Sequence, residues 1–322
     1  MRAIVITRPG GPEVLEVRDG LPSPEPGHEQ VRVRVRATAL NRADVLQRMG
    51  HYPPPPGVPR DIPGLEFAGE VDATGPGVSR WKSGDRVFGL VGGGSYAEQL
   101  VVHERTVARI PDGLDWVAAA AVPEAFITAH DALFRLGGLR PGGRVLVHAV
   151  GSGVGIAAVQ LAASIHATSF GTSRTPSKLA RAQELGLSHT LPVDGFEKAV
   201  GAQGVDVVID FVGAPYLARN LEALAPCGRL VVVGLLGGRK ESIDLGLVLT
   251  KRLSVIGTAL RTRPLEEKIL VTRTFEQEVV PLLAQGVLKP VVDRVFSLEQ
   301  VREAHEVMEK NEVFGKIVLK VD

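Results

Sequence analysis

A glycine-rich turn follows an apolar stretch between Val145 and Gly155, where the sequence reads VLVHAVGSGVG. An apolar strand that leads through glycines into an alanine-rich helix presents free backbone N–H groups and a positive helix end, which together bind a pyrophosphate. With the G-x-G-x-x-G pattern aligned on Gly153 and Gly155, Val150 and Ser152 stand where its first two glycines would be. Strand, turn, helix and second strand nevertheless follow in the required order, which favours a dinucleotide site over a purely structural turn. The residues predicted to lie at the phosphates are Ser152, Gly153, Val154 and Gly155.

The end of the second strand, at Thr172 and Ser173, indicates which dinucleotide this turn would bind. A site for NAD usually has an Asp or Glu there that holds the ribose 2′-hydroxyl, and none is present. Ser173 can donate a hydrogen bond, while Arg174 and Lys178 bring positive charge that suits the 2′-phosphate of NADPH. Alternatively, the two basic side chains only solvate a loop and a helix start, although basic residues near a helix N-terminus oppose its dipole. The sequence therefore predicts NADPH rather than NADH.

The composition is that of a folded globular protein. The 322 residues are 44% apolar and 23% charged, which excludes disorder as the dominant state and suits two domains. A net charge of +1 lacks the basic excess of a general nucleic-acid binder. The single cysteine, Cys227, excludes an intramolecular disulfide framework and a multi-cysteine zinc site. The first residues are strand-like and too short for a signal peptide, so a cytoplasmic location is expected.

The pattern of apolar residues changes near residue 123. Before it, Val31, Val33 and Val35 alternate with arginines and turn signals recur at short spacing, so an irregular β barrel or sandwich is predicted. After it, apolar strands alternate with helices, which is typical of a parallel sheet covered on both faces. The predicted domains are a discontinuous β-rich one, 1–122 plus 262–322, and a nucleotide-binding one, 123–261. The predicted elements after residue 123 are strands at 144–150, 167–173, 205–210, 229–235, 253–258 and 314–321, and helices at 153–164, 176–185 and 265–285.

Metal and hydrolase motifs are missing from the sequence. There is no H-E-x-x-H and no C-x-x-C, and the eight histidines are scattered. His148 lies on an apolar strand and is interpreted as a buried histidine with satisfied hydrogen bonds, and His51 as an ordinary surface residue. No metal site is therefore predicted.

Two segments resemble the medium-chain dehydrogenase/reductase family. Residues 63–71 are similar to the family's G-H-E-x-x-G-x-V segment, with Leu65 where zinc-dependent members carry a histidine ligand. In residues 41–44, Asn41 takes the place of the first zinc cysteine, and the family's loop of four zinc-binding cysteines is absent after residue 87. The resemblance thus implies the zinc-independent quinone oxidoreductase branch.

Further stretches that resemble this branch lie at residues 39–44, 123–125, 152–155 and 315–319, in both predicted domains. Ser152 in the glycine turn is a feature of one subgroup of the branch. One departure concerns the 2′-phosphate, since family members often place a tyrosine after the third strand and residues 190–194 contain none. A 2′-phosphate would therefore depend more on Arg174 and Lys178.

The resemblance implies an α/β fold with two parts, a Rossmann domain with a doubly wound parallel sheet and a discontinuous GroES-like β-rich catalytic domain. NADPH would lie in the cleft between the domains. The resemblance places Asn41 and Thr128 beside the nicotinamide, Gly213, Gly234 and Leu235 along the cofactor path, and Thr258, Leu260, Phe314 and Lys316 at the nicotinamide end. In the alternative interpretation the two glycines only make turns after strands.

The activity that the resemblance implies is transfer of hydride, or of its electrons, from NADPH to a quinone. A quinone is a strong acceptor and needs no Lewis acid. Tyr52, in the proline-rich loop, is the predicted catalytic residue, because its ring could stack on a quinone and its hydroxyl could donate to the developing oxyanion. Alternatively, Tyr52 only packs the loop or touches the nicotinamide.

Two other functions stay open. The same scaffold reduces the C=C bonds of enals, enones or enoyl thioesters with NADPH, and some relatives are structural or RNA-binding proteins that hold NADPH. The near-neutral charge makes nucleic acid an unlikely main partner. The strand predicted at 253–258 would be an apolar sheet edge, which family members pair across a two-fold axis, so a homodimer is expected.

Overall fold

The computed structural model describes residues 1–321 and divides into two units. Unit 1 contains Met1–Ile127 and the chain from Leu260 onward, and unit 2 contains Thr128–Ala259. The sequence predicts these divisions at 122/123 and 261/262 instead. No helix within the described residues combines the length and the apolar character needed to cross a membrane.

Strands and helices follow one another in the order that the sequence predicts, β-rich first and then alternating. The strands are β1 (Ala3–Ile6), β2 (Leu15–Arg18), β3 (Gln30–Ala39), β4 (Glu66–Thr74), β5 (Arg86–Leu90), β6 (Gln99–His103), β7 (Val107–Arg109), β8 (Arg144–Val147), β9 (Thr168–Thr172), β10 (His189–Leu191), β11 (Val205–Asp210), β12 (Leu224–Val232), β13 (Ser254–Gly257), β14 (Val292–Ser297) and β15 (Lys316–Lys320). The α-helices are α1 (Arg42–Arg48), α2 (Trp116–Ala120), α3 (Pro123–His130), α4 (Gly153–Ser164), α5 (Pro176–Glu184), α6 (Phe196–Ala199), α7 (Leu217–Ala223), α8 (Leu245–Lys251), α9 (Leu265–Glu278), α10 (Val280–Ala284) and α11 (Val301–Glu309).

Unit 2 is built on a six-stranded parallel sheet with the order β10-β9-β8-β11-β12-β13. Numbered within the sheet, this order is 3-2-1-4-5-6, the doubly wound arrangement of dinucleotide-binding domains. Its strands carry fully buried residues such as Leu146, Val208 and Leu230. The strand order reverses between β8 and β11, and ligands of such sheets bind at the carboxyl ends of the strands at that point. The predicted Rossmann domain is confirmed.

Unit 1 is β-rich. Its larger sheet has the order β14-β15-β3-β4-β5-β7, and β6 also pairs with β3. The alternating pattern on β3 places its valines on the buried face of the sheet, as predicted. Val31, Val33 and Val35 are at most 2% exposed and form the core with Phe67 and Leu100. A separate two-stranded sheet joins β1 and β2. The predicted GroES-like β-rich domain is confirmed.

Two predicted elements differ from the structure. The single helix predicted over 265–285 is wrong, since α9 ends at Glu278 and α10 begins at Val280. Pro281 explains the break, because it has no N–H to donate to the preceding turn and its ring crowds that turn. The strand predicted at 229–235 is also displaced, since β12 begins at Leu224 and ends at Val232.

The edge of the unit 2 sheet at β13 is apolar and open within unit 2. Val255 on this strand is 46% exposed. An exposed apolar edge strand pairs readily with another strand. The homodimer through this edge stays a prediction.

Candidate functional site

The glycine turn lies at the carboxyl end of β8, where the sheet order reverses. Ser152 is the N-cap of α4, and its Oγ accepts a hydrogen bond from the Gly155 N–H at 3.1 Å. A Cβ on Gly155 would lie 2.6 Å from the carbonyl oxygen of Ala149, so the turn requires glycine there. Helix geometry leaves the N–H groups of Gly153 and Val154 without partners in the helix, and they can bind a phosphate.

The residues predicted to recognise a 2′-phosphate lie just after β9. The Ser173 Oγ accepts from the Thr175 N–H at 3.1 Å and still has its own hydrogen to donate. Arg174 is exposed and forms no hydrogen bond or ion pair among residues 1–321. The stem of Lys178 packs against the glycine turn, since a Cβ on Gly151 would lie 2.7 Å from its Cδ. Within unit 2, the basic side chains and the turn therefore belong to one surface.

Tyr216 belongs to the same region and was missed by the sequence reasoning. The family's tyrosine is expected after the third strand, whereas Tyr216 lies in a single helical turn, Ala214–Tyr216, after β11. Its ring contacts His148, with ring centroids 4.8 Å apart. Burial raises the pKa of its phenol, and the charge of Arg174 is close enough to lower it. Only tertiary structure brings this phenol near Arg174.

The turn after β11 is shaped by a buried carboxylate. Asp210 accepts hydrogen bonds from the N–H groups of Val212 at 2.7 Å and Gly213 at 3.1 Å. Gly213 has a φ of 85°, which favours glycine. Burial raises the pKa of Asp210 to about 6, although the two N–H groups favour its charged form. This interaction fixes the course of the chain beside the glycine turn.

The remaining predicted residues of unit 2 lie at the ends of β12 and β13 and in α3. The Gly234 N–H donates to the Asp210 carbonyl at 3.1 Å, and Leu235 is 47% exposed. The Thr258 N–H donates to the Val232 carbonyl at 3.1 Å. Thr128 is 6% exposed, and its Oγ1 has no hydrogen-bond partner among residues 1–321. A buried hydroxyl without a partner costs free energy, which a bound ligand can recover.

His148 is confirmed as a buried histidine with satisfied hydrogen bonds. Its Nε2 lies 2.7 Å from Asn220 Oδ1, an acceptor, and its Nδ1 lies 2.8 Å from Thr172 Oγ1. A neutral imidazole with its proton on Nε2 satisfies both contacts, since the Thr172 hydroxyl can then donate to Nδ1. Burial lowers its pKa to about 4.

We expect His148→Ala to lower the free energy of unfolding by roughly 3 kcal/mol at neutral pH, since two hydrogen bonds and ring packing are lost. Between the unfolded pKa of about 6.5 and the folded pKa of about 4, only unfolded His148 binds a proton. The free energy of unfolding of the wild-type protein therefore falls as the pH is lowered through this range. The penalty of the substitution should therefore shrink as the pH falls through this range. Urea unfolding followed by circular dichroism at several pH values measures this, and a pH-independent penalty would contradict it.

In unit 1, Asn41 belongs to a buried network with an ion pair. Its Nδ2 donates to Glu66 Oε1 at 2.8 Å, and its Oδ1 accepts from Lys316 Nζ at 2.6 Å. Lys316 Nζ also lies 2.6 Å from Glu66 Oε1 and donates to the Leu40 carbonyl at 2.9 Å. Glu66 is fully buried and Lys316 is 5% exposed. Both side chains are therefore held in place by each other and by Asn41.

Arg261 holds Tyr52 in place. Its guanidinium lies 4.8 Å from the centroid of the Tyr52 ring, and its Nη1 donates to the Tyr52 carbonyl at 2.9 Å. It also donates to the Gly92 carbonyl at 2.6 Å and to the side chain of Gln47. The Tyr52 hydroxyl forms no hydrogen bond among residues 1–321, and burial raises its pKa, so it is protonated and free to donate.

Glu124 adds an uncharged acid to this part of unit 1. Its N–H donates to Glu66 Oε2 at 2.8 Å. Burial and the neighbouring Glu66 carboxylate raise the pKa of its side chain to about 8, while Lys316 and Arg261 oppose this. At neutral pH Glu124 is therefore mostly protonated. The sequence reasoning named residues 123–125 as a family stretch but gave Glu124 no role.

The last two predicted residues of unit 1 are Leu260 and Phe314. Leu260 lines a small cavity with Leu65 and Arg261. Phe314 is 2% exposed, and its N–H donates to Asp293 Oδ1 at 3.2 Å. Unit 1 thus directly joins Asn41 with Lys316, and unit 2 gathers the predicted phosphate residues at one edge of its sheet.

The two positions where zinc-dependent members carry ligands hold Asn41 and Leu65 in this chain. Among residues 1–321 no group of three or more His, Cys, Asp or Glu side chains could hold one. Leu65 is 3% exposed and apolar, and the Asn41 amide is taken up by Glu66 and Lys316. Neither residue therefore offers the Cys or His ligand that zinc-dependent members carry at these positions.

Known proteins match the chain over its length. The sequence profile of the Alcohol dehydrogenase GroES-like domain matches residues 27–112, and that of the Zinc-binding dehydrogenase matches residues 181–319. A quinone oxidoreductase from Lama guanicoe is 34% identical over 331 aligned positions, which cover 99% of this chain and 97% of that protein. The chain belongs to the medium-chain dehydrogenase/reductase family. The resemblance seen at residues 41–44 and 63–71 is confirmed.

Solved structures of this medium-chain dehydrogenase/reductase family agree with the fold. Escherichia coli quinone oxidoreductase complexed with NADPH is 28% identical, with a TM-score of 0.88 and 100% of both chains covered. An NAD-dependent alcohol dehydrogenase is 36% identical, also with a TM-score of 0.88 and 100% of both chains covered. The names of these two relatives mention different nicotinamide dinucleotides, NADPH and NAD.

Proposed function

We propose that this medium-chain dehydrogenase/reductase is a zinc-independent NADPH:quinone oxidoreductase. The observation that carries the proposal is the pair of substitutions at the family's zinc position. Leu65 and Asn41 stand there, and the Asn41 amide is bound by Glu66 and Lys316. A quinone accepts hydride without a Lewis acid, which suits such a site, and the name of the Lama guanicoe relative supports the same acceptor.

NADPH fits the residues of unit 2. The N–H groups at the start of α4 would hold the pyrophosphate, with Gly153, Val154 and Gly155 allowing close approach. Ser173, Arg174 and Lys178 would hold the 2′-phosphate, and residues 172–178 contain no Asp or Glu. Thr128 would give its unpartnered hydroxyl to the cofactor. We propose that the cofactor also passes Gly213, Gly234, Leu235 and Thr258. These residues come shortly after the carboxyl ends of β11, β12 and β13.

The cofactor supplies a hydride at its nicotinamide, and the chain's residues position the reaction. Asn41, Leu260, Phe314 and Lys316 are proposed to lie at the nicotinamide end. Tyr52 would stack on the quinone and donate a hydrogen bond from its hydroxyl to the oxygen that gains negative charge, while keeping its own proton. Arg261 keeps the Tyr52 ring in one orientation. The hydroquinone monoanion that hydride transfer leaves needs one proton, which water can supply.

A panel of acceptors tests the proposal. NADPH oxidation is followed with several quinones, an enone and an enoyl thioester at equal concentrations. We expect turnover with quinones to exceed turnover with the other two classes. The opposite ranking would replace the proposal with reduction of conjugated C=C bonds, and NADPH binding without turnover would favour a binding protein.

One observation favours C=C reduction as a second candidate. That reaction needs a proton for the carbon next to the carbonyl group. Glu124 is mostly protonated at neutral pH, and its charge state influences Tyr52. Unit 1 therefore contains an acid that could supply such a proton.

We expect Tyr52→Phe to lower kcat for a quinone roughly 10-fold with little change in KM, because the hydroxyl acts on charge that develops during the reaction. Tyr52→Ala should also raise KM, since the stacking ring is lost. Steady-state kinetics of both variants measure the difference. If Tyr52→Phe keeps the wild-type kcat, the tyrosine only packs the proline-rich loop.

A further inference from the structure

A small cavity in unit 1 is lined by two cationic side chains, Lys268 and Arg261. Its volume is about 30 Å³, which leaves room for a small polar group but not for an aromatic ring. Five apolar and five polar or charged residues line it, and Arg261 is one of the latter. The apolar residues are Leu65, Leu90, Val91, Leu260 and Val271, and the others are Thr106, Glu124, Lys268 and Thr272.

Lys268 is the unusual member of this lining. It lies on α9, is half-buried, and its Nζ forms no hydrogen bond or ion pair among residues 1–321. Burial and the charge of Arg261 lower its pKa. A partly desolvated ammonium group without a partner costs free energy, which an anion would offset.

None of the described acids forms an ion pair with Lys268, although the charge of the buried Asp44 acts on Arg261. Arg261 is 5% exposed and donates to the Gly92 and Tyr52 carbonyls and to the Gln47 amide, all of them uncharged acceptors. Glu124, the acid in the lining, is mostly protonated at neutral pH. The acids at the start of α9 pair elsewhere, Glu266 with Arg105 and Glu267 with Arg263.

The cavity also adjoins the residues proposed to meet the acceptor. Arg261 lines the cavity and stacks on the Tyr52 ring, so one side chain belongs to both. Glu124 likewise lines the cavity and bonds through its N–H to Glu66 of the Asn41 network. Both links lie within unit 1, so an acceptor beside Tyr52 could place a substituent here.

We propose that Lys268 binds a carboxylate or sulfonate group of the acceptor, so that the preferred substrates are acidic conjugated carbonyl compounds. Only the anionic group would enter the cavity, while the carbon skeleton would stay outside it beside Tyr52, and Arg261 would add positive charge from the side. This inference rests on the proposed function, because it assigns the charge of the same acceptor.

The kinetic test compares naphthoquinone with naphthoquinone sulfonate in the wild-type protein and in Lys268→Met, which keeps the length of the side chain. We expect the wild-type protein to prefer the sulfonate through a lower KM. Lys268→Met should raise the KM for the sulfonate roughly 10-fold and leave naphthoquinone within about 2-fold. Lys268→Arg should keep the preference. Lys320→Met, an exposed lysine of unit 1 outside the cavity, is the matched control and should change neither substrate.

A binding measurement separates failure of this inference from failure of the proposed function. Calorimetry with naphthalene sulfonate, which cannot be reduced, should show binding that Lys268→Met weakens roughly 10-fold. If no quinone is turned over but this loss is seen, the proposed function fails and the anion site stands. Equal sulfonate binding by the wild-type protein and Lys268→Met, or an equal loss for both quinones, would overturn the anion site.

Discussion

Replacing Arg174 with Asp is expected to weaken NADPH binding roughly 30- to 100-fold and to leave NADH binding within about 3-fold. The guanidinium is exposed and has no partner among residues 1–321, so it is free to pair with a 2′-phosphate. Loss of a charge-assisted hydrogen bond costs about 1.5–3 kcal/mol, and an introduced carboxylate repels the phosphate as well. NADH has no phosphate at this position and loses neither interaction.

Fluorescence titration of the bound nicotinamide measures both dissociation constants without turnover. Arg140→Asp is the matched control, because Arg140 is an exposed arginine of unit 2 that precedes β8, at the opposite end of that strand from the glycine turn. An equal loss for NADPH and NADH would mean that Arg174 supports the fold of the loop rather than the 2′-phosphate. Unchanged binding of NADPH would leave Ser173 and Lys178 as the residues that recognise it.

Lys316→Met is expected to lower the free energy of unfolding of unit 1 by roughly 3–5 kcal/mol. The substitution leaves the Glu66 carboxylate fully buried with its cation removed, and breaking one side of a buried ion pair has costs of about this size. The Asn41 oxygen loses its donor at the same time. The double variant Lys316→Met/Glu66→Gln should recover most of the loss, because no buried charge is then left without a partner.

Urea unfolding followed by tryptophan fluorescence suits this measurement. The chain has two tryptophans, Trp81 and Trp116, and both lie in unit 1. Lys320→Met should stay within about 0.5 kcal/mol of the wild-type protein, as is usual for an exposed lysine. A loss below about 1 kcal/mol for Lys316→Met, or no recovery in the double variant, would contradict the ion pair.

The parts of the site that depend on local sequence could be predicted. The glycine turn, its Ser152 cap and the helix that follows lie together in the chain, and helix α4 has the predicted bounds. The Rossmann sheet follows from strands and helices that alternate along the sequence. The helix break at Pro281 is also visible in the sequence, because proline has no N–H to donate to the preceding turn.

Residues that meet only through tertiary folding could not be predicted. Tyr216 follows β11 and Arg174 follows β9, and these two strands flank β8 in the sheet, so folding brings the residues near each other. Arg261 reaches Tyr52 across 209 positions of the chain. The elevated pKa of Glu124 arises from burial and from Glu66, neither of which a single sequence displays. Lys268 reads as an ordinary helix lysine until its surroundings are known.

The initial rate of NADPH oxidation with naphthoquinone, with NADH and an enone assayed in parallel, tests the proposed activity. A zinc-independent NADPH:quinone oxidoreductase should turn over NADPH rapidly with the quinone, react at a clearly lower rate with NADH, and show little turnover with the enone. Turnover of the enone alone, or equal rates with NADH and NADPH, would contradict it.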